Sequence, residues 1–475
     1  MRPYNIFFFL VLSVYLSAQQ KLQTYLNDLN HTAFFKHAVL GVSVRTVSDH
    51  TLTADLAKDK LFIPASTLKL VTTLTAKNIL GDGFKFVTKI YHDGIIYEDG
   101  TLHGSIYIIG NGDPSLGGGR IPGNASMDEV INKVVVFIRQ LGILKIQGKI
   151  ISIVPSTDVS PVVDSWQWND IGNYYATGLW PININENFYN IYFDRDKNLN
   201  DTATIAYIEP FIPELTHTSY VTIDSSHKSD NAYIFGTPFQ YKRYVNGSIP
   251  QGKGLFKIRG SLPDPPLFFA YKLYNELAKA GIEAQSYATS IIQPSNLVYV
   301  GEHLSPTLND LIKVTNEKSH NLYAEGLLHA LGGRDTDENI ERLTTFLNSL
   351  GIDHNGFQLS DGSGLSTKNL ISPDALTTFL VKFAQILPLD VILNLLPKVG
   401  ESGTVINLLS HSPAKGKMWV KSGSMENILC YAGYAQGKSG HYVAFTVFLN
   451  GSISKTTKEN KIELEKILDA IYNFS

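Results

Sequence analysis

Cysteine is almost missing from this chain of 475 residues: Cys430 stands alone, so no intramolecular disulfide can form. It lies in an apolar stretch and reads as a small core residue. Charge is also sparse, at 17% Asp, Glu, Lys and Arg with a net charge of −3. With no long basic tract to offset that balance, nucleic acid is excluded as the main partner, because phosphate binding needs clustered positive charge. Metal motifs are missing too. There is no His-Glu-x-x-His and no paired cysteine, and the 13 histidines are scattered, so neither a metal nor another cofactor is expected. The glycine-rich "GNGDPSLGGG" (Gly110 to Gly119) lacks the spacing and the lysine of a phosphate loop, and reads as a tight turn. Internal repeats and low-complexity linkers are absent.

Long hydrophobic runs are missing except at the start. "IFFFLVLSVYLS" (Ile6 to Ser17) follows Arg2 and precedes Ala18-Gln19, the pattern of a secretory signal over residues 1–18. It is short for a membrane span, and bulky Leu16 blurs the cleavage point. With no cysteine near that point, a lipoprotein anchor is ruled out. An exported chain of this size without disulfides fits a bacterial periplasm or cell envelope, with room for peripheral membrane association.

The rest, 44% hydrophobic, is ample for two or three domains. Residues Gln20 to Asp59 read as a helix followed by strands, and Phe62 to Gly81 as an apolar helix. From about Phe84 to Val300, alternation and Asp-Gly turns indicate short strands, interrupted by one helix at Met127 to Gly142. Helices then return at Leu308 to Leu331, Asp337 to Leu350 and Ser372 to Leu387. Gly416 to Gly451 reads as three strands and Thr457 to Phe474 as an amphipathic helix. The two ends of the chain therefore form one α/β unit, and the middle is an insertion.

Within the first helix, "PASTLK" places Ser66 one turn ahead of Lys69. Structurally, Pro64 and Ser66 only open the helix, the serine capping free N–H groups, and Lys69 is solvated. Chemically, a spacing of three puts hydroxyl and amine on one face, a nucleophile beside a base. Two further stretches decide between them: Ser319-His320-Asn321 at a helix start and Lys421-Ser422-Gly423 on a strand. Ser-x-x-Lys, Ser-x-Asn and Lys-Ser/Thr-Gly in this order form the motif set of penicillin-interacting serine enzymes. More than half of the chain separates Ser66 from Ser319, a far larger gap than a β-lactamase has.

With these motifs, and with "GNGDPSL" (Gly110 to Leu116), "SWQWNDIGNYY" (Ser165 to Tyr175), "NENFYN" (Asn185 to Asn190), "LSDGSGLS" (Leu359 to Ser366) and "GESGT" (Gly400 to Thr404), the chain resembles the low-molecular-mass class C penicillin-binding proteins, the D-alanyl-D-alanine carboxypeptidase/endopeptidase family. The resemblance implies an α/β transpeptidase/β-lactamase-like domain, an antiparallel sheet between helices, from residues 19–85 and 300–475. A large, mainly-β insertion of two subdomains fills residues 86–299. It implies serine-type cleavage of D-Ala-D-Ala in peptidoglycan stem peptides through an acyl-enzyme, with β-lactam antibiotics as covalent inhibitors. Ser66 is then the nucleophile, Lys69 its base, Ser319 a proton relay, and Asn321 a holder of the substrate amide. Lys421, Ser422, Gly423 and Ser424 form the strand that takes the terminal carboxylate, with the Ser66 and Ser424 N–H groups as oxyanion hole. Asp170 and Met425 line the pocket for the substrate's diamino acid side chain. Two positions depart from the family. Ser422 replaces a common threonine, and Thr367 stands where many relatives carry an arginine, with Lys368 beside it. A β-lactamase or an esterase on the same fold, and a non-catalytic wall-binding or penicillin-sensing protein, remain as alternatives. Penicillin labelling with a Ser66→Ala control separates them.

Overall fold

The computed structural model describes residues 19–155, 160–226, 228–333, 335–453 and 457–475. The expected signal segment, residues 1–18, lies outside them. The chain forms two compact units, one from the described residues up to Gly81 together with Ile312–Ser475, the other Asp82–Leu311. These limits differ from the expected 85/86 and 299/300. The reason is hydrogen bonding: Val298–Leu304 pairs antiparallel with Val87–His92, which ties residues 300–304 to the second unit.

The first unit is built on a five-stranded antiparallel sheet. Its spatial order is Met418–Met425, Ile428–Gln436, Tyr442–Asn450, Val39–Thr46, Leu52–Leu56. The strands Ile428–Gln436 and Tyr442–Asn450 are buried along nearly their whole length. They read as continuous apolar runs because both faces of the sheet are covered. On one face Leu429, Tyr431, Val443, Phe445, Val447, Leu40, Val42 and Val44 pack with Leu22 and Leu26 of helix 19–30. Leu464, Ile467, Leu468 and Ile471 of helix Thr457–Phe474 complete that core, a heptad-like spacing that lines up one helical face. The other face meets helix Pro373–Ile386, whose N-terminus Ser372 caps by accepting the Ala375 N–H. Polar groups buried there are paired: Tyr434 Oη donates to the Leu380 carbonyl (2.7 Å) and Thr377 Oγ1 to Thr446 Oγ1 (2.9 Å).

The second unit holds a mixed sheet in which Lys145–Ile153 pairs in parallel with Ile106–Gly110, Thr101–His103 and Glu283–Ser290. Two three-stranded sheets accompany it. Helix Met127–Gln140 is present, and its capping box between Ser126 and Glu129 explains its sharp start. A second helix, Pro265–Lys279, was not expected. Asp264 caps it through the Leu267 N–H, Pro265 opens it, and Phe268, Phe269, Leu273 and Leu277 bury one side. Asp-Pro-Pro was the signal for it, masked by the alternating segments on either side.

One further difference bears on the site. The expected helix Leu308 to Leu331 is two, Leu308–Lys318 and Asn321–His329, and Ser319 between them is left-handed at φ 55°. A non-glycine residue in that region costs about 1 kcal/mol and ends a right-handed helix. The break falls on the second motif.

Candidate active site

All residues of the three motifs belong to the first unit. After Pro64 the chain turns left-handed at Ala65 (φ 45°), runs through a 3-10 turn, Ala65–Leu68, and continues as the α-helix Lys69–Leu80. Thr67 fixes this turn, since its hydroxyl and its N–H both reach the Pro64 carbonyl, at 2.7 and 3.2 Å. Pro64 is the N-cap residue and no side chain caps the turn. The Ser66 hydroxyl is therefore free of the capping role and sits 2.8 Å from the Lys69 amine.

Lys69 is fully buried. Its Nζ also lies 2.6 Å from Asn321 Oδ1 and 2.6 Å from the Ser363 carbonyl. A neutral amine fits that set: two N–H bonds donated to the oxygens of Asn321 and Ser363, and a lone pair left for the Ser66 O–H. Burial pulls the amine down to about 7, against the opposing pull of the Asp361 carboxylate. At neutral pH a large share of Lys69 is then a free base.

The second lysine repeats the arrangement. Lys421, also fully buried, donates to Ser319 Oγ at 2.9 Å and to the Ser422 carbonyl at 2.6 Å. Burial lowers its amine well below the ordinary lysine range, and the nearby Lys69 charge adds to that. The break at Ser319 lets its hydroxyl meet Lys421 while Asn321, two residues on, meets Lys69. Two hydroxyls thus each have their own amine, Ser66 with Lys69 and Ser319 with Lys421.

Met418–Met425 is an edge strand of the sheet. Ser422 Oγ lies 2.6 Å from Thr404 Oγ1, Ser424 is exposed, and Met425 is half-buried at the strand end. Gly423 passes close to the nucleophile turn. A Cβ there would stand 2.8 Å from the Ser66 nitrogen, leaving no room for a side chain. Asp170 belongs to the second unit, in the short helix Trp168–Ile171, where it is half-buried and accepts the Tyr175 hydroxyl at 2.8 Å. Burial raises its carboxyl, and the Tyr175 bond opposes the rise.

Three contributors went unread in the sequence. Thr404 stands in "GESGT" and Asp361 in "LSDGSGLS", both noticed only as matching stretches. Glu325 follows Asn321 by four residues, the spacing that puts two side chains on one helical face. Gly364 explains the glycines of the second stretch: at φ 77°, with a Cβ 2.0 Å from the Ala65 carbonyl oxygen, only glycine fits against the nucleophile turn.

The family model for the D-Ala-D-Ala carboxypeptidase 3 (S13) family matches residues 18–471. The chain is 25% identical over 446 residues to the D-alanyl-D-alanine carboxypeptidase DacB of Haemophilus influenzae, covering 90% of each. It is 24% identical over 415 residues to the D-alanyl-D-alanine carboxypeptidase of Actinomadura sp. strain R39, covering 82% of this chain and 73% of that one. In three dimensions it is similar to penicillin binding protein 4 (dacB) from Haemophilus influenzae, with a TM-score of 0.81 over 94% of this chain and 99% of that one, at 24% identity. That likeness shows the transpeptidase/β-lactamase-like fold. With the match running over nearly the whole sequence, the chain belongs to the D-Ala-D-Ala carboxypeptidase 3 (S13) family.

Proposed function

We propose the following roles for the residues of this enzyme, a serine-type D-Ala-D-Ala carboxypeptidase that penicillin acylates. Ser66 Oγ attacks the carbonyl carbon between the two D-alanines and passes its proton to the neutral Lys69 amine. The N–H groups of Ser66 and Ser424 receive the oxyanion, a donor of this kind contributing about 3 kcal/mol. Collapse breaks the C–N bond, and the leaving D-alanine amine takes its proton through the Ser319 hydroxyl, Lys69 giving up the proton it took from Ser66 and so becoming neutral again. Water then attacks the ester with Lys69 again as base, releasing the shortened peptide and the Ser66 hydroxyl. Lys421, Ser422 and Ser424 hold the substrate's terminal carboxylate, and Asn321 holds its amide as well as the Lys69 amine. Penicillin enters by the same first step, its strained ring amide taking the place of the peptide bond.

The observation that carries this reading is the buried Lys69 amine between Ser66 Oγ, Asn321 Oδ1 and the Ser363 carbonyl. Peptidoglycan stem peptides are the natural substrate. The relatives' names support acylation by penicillin, since one is a penicillin-sensitive carboxypeptidase and the penicillin binding protein 4 of Haemophilus influenzae has been solved with a β-lactam. Cleavage of cross-links as an endopeptidase, an exported location in a cell envelope, and an accessory role for the unit Asp82–Leu311 complete the proposal. Among the described residues no helix is long and apolar enough to cross a membrane. Intact-mass spectrometry after penicillin treatment tests the core of it. One adduct is expected, mapped to Ser66, and an adduct persisting in folded Ser66→Ala protein would overturn the assignment.

A further inference from the structure

Beneath Lys69 lie two buried carboxyl groups that the reaction does not consume, Glu325 on helix Asn321–His329 and Asp361 at the start of the loop 361–366. Their surroundings differ. Asp361 accepts the Gly364 N–H (2.7 Å), the Ser366 N–H (2.6 Å) and Asn369 Nδ2 (2.8 Å). Glu325 Oε2 accepts the Gly362 N–H at 3.0 Å, while Oε1 has no partner at ordinary hydrogen-bond geometry among the described residues, the Ser363 hydroxyl lying beside the carboxyl. Several N–H donors favour a carboxylate, and two neighbouring buried carboxyls do not both ionise at neutral pH. Glu325, which accepts a single N–H, is therefore the group of the two that keeps a proton.

We propose that Glu325 is a positioning residue that works as a neutral carboxylic acid, anchoring the 361–366 loop whose Ser363 carbonyl holds Lys69. The titratable groups that face it are Asp361 from that loop and Lys69 from the nucleophile helix, whose charge in turn lowers the Lys421 amine. Burial and the Asp361 charge push the Glu325 carboxyl up to about 8, so its proton is retained at neutral pH. The neutrality has a function. An ionised Glu325 would put a second anion near the Lys69 amine and keep it protonated, which would remove the base. The loop anchor has one as well, since Gly362 also receives the Thr72 hydroxyl on its carbonyl, so the loop is pinned from both helices.

The inference rests on Lys69 as the base, and its test has a readout that does not. Infrared spectra of the resting full-length enzyme at pH 7 should show the carbonyl stretch of a buried protonated carboxyl, lost in E325Q. In penicillin acylation, E325Q should keep the plateau rate within about threefold and the midpoint of the acid limb within about 0.3 pH unit, because Gln reproduces the neutral acid. E325A, which drops the Gly362 anchor, should lose at least about tenfold while its circular dichroism stays native. Should E325A not fold, the two E325Q readings decide alone. A parent spectrum without the band, an E325Q acid limb moved down by about half a unit or more, or a folded E325A at the parent rate would each overturn the proposal. A parent enzyme that took no penicillin on Ser66 would fail the catalytic reading instead and leave the band in place.

Discussion

The backbone of Gly423 lies so near Ser66 that a Cβ on it would stand 2.8 Å from the Ser66 nitrogen and 3.0 Å from that of Thr67. Both are backbone atoms, which cannot swing aside as a side-chain tip can. A methyl group forced into such a gap displaces main chain at a cost of about 1–3 kcal/mol, and here the displaced group is a proposed oxyanion donor. Gly423→Ala is therefore expected to lower the penicillin acylation rate at least about 100-fold, by rapid-mixing fluorescence, with only a modest drop in melting temperature. Parent-like acylation in this variant would remove the Ser66 N–H from the mechanism.

Proton uptake by Lys69 sets the pH profile. Burial lowers its amine from the ordinary lysine range to about 7, and only the neutral form can accept the Ser66 proton. Acylation should hence fall about tenfold per unit as pH drops below this value and level off above it. Lys69→Ala should lose at least about 100-fold at pH 8. A flat profile from about pH 5 to 9 in the parent would transfer the base role to Ser319 with Lys421.

How far these features could be read in advance follows from how local they are. Ser66 and Lys69 are three residues apart in one helix, so sequence spacing nearly specifies their contact. The pairing of Lys421 with Ser319 is not local, and only the ordered motif set made it readable. Thr457–Phe474 announced itself by its apolar period, because one face packs on a sheet. The break at Ser319 left no mark in the apolar period, since a left-handed serine leaves the spacing around it unchanged, and only the Ser-x-Asn motif pointed to a helix start there. Glu325 and Asp361 were invisible for another reason: an acidic residue in a helix or a Gly-Ser loop looks solvated until burial is known.

The sheet and helix Pro373–Ile386 are joined by a half-buried ion pair. Arg45 donates from Nε to Asp374 Oδ1 (2.9 Å) and from Nη2 to Oδ2 (2.8 Å), and Ser43 Oγ donates to Oδ1 (2.9 Å). Burial works to raise the Asp374 carboxyl, but the bonds from Arg45 and Ser43 outweigh it and hold the group below the ordinary aspartate value. A depressed folded pKa means stability that is present above the unfolded value of 3.8 and lost as pH falls through the folded one. Asp374→Asn is expected to cost about 1–3 kcal/mol in urea unfolding at pH 7, and the gap should close as pH drops below 3.8. A gap of equal size at low pH would mean the residue acts through packing alone.

Asp170 offers the sharpest separation of substrate choice from chemistry. In the family that this chain resembles, the matching aspartate meets the ammonium on the substrate's diamino acid side chain. Here Asp170 is half-buried with its Oδ1 already taking the Tyr175 hydroxyl, which leaves Oδ2 to receive a cation. A charge-assisted bond in such a setting is worth about 1–3 kcal/mol. Asp170→Ala is accordingly expected to raise the KM, or lower the rate, for a D-Ala-D-Ala peptide bearing meso-diaminopimelate by about 10- to 100-fold. Benzylpenicillin has no such ammonium, so its acylation of Ser66 should stay within about twofold of the parent. Equal losses in both reactions would make Asp170 structural, through its bond to Tyr175. No loss in either would mean that Asp170 does not receive the ammonium, and a peptide with a neutral side chain would then be cleaved as fast as the diaminopimelate one.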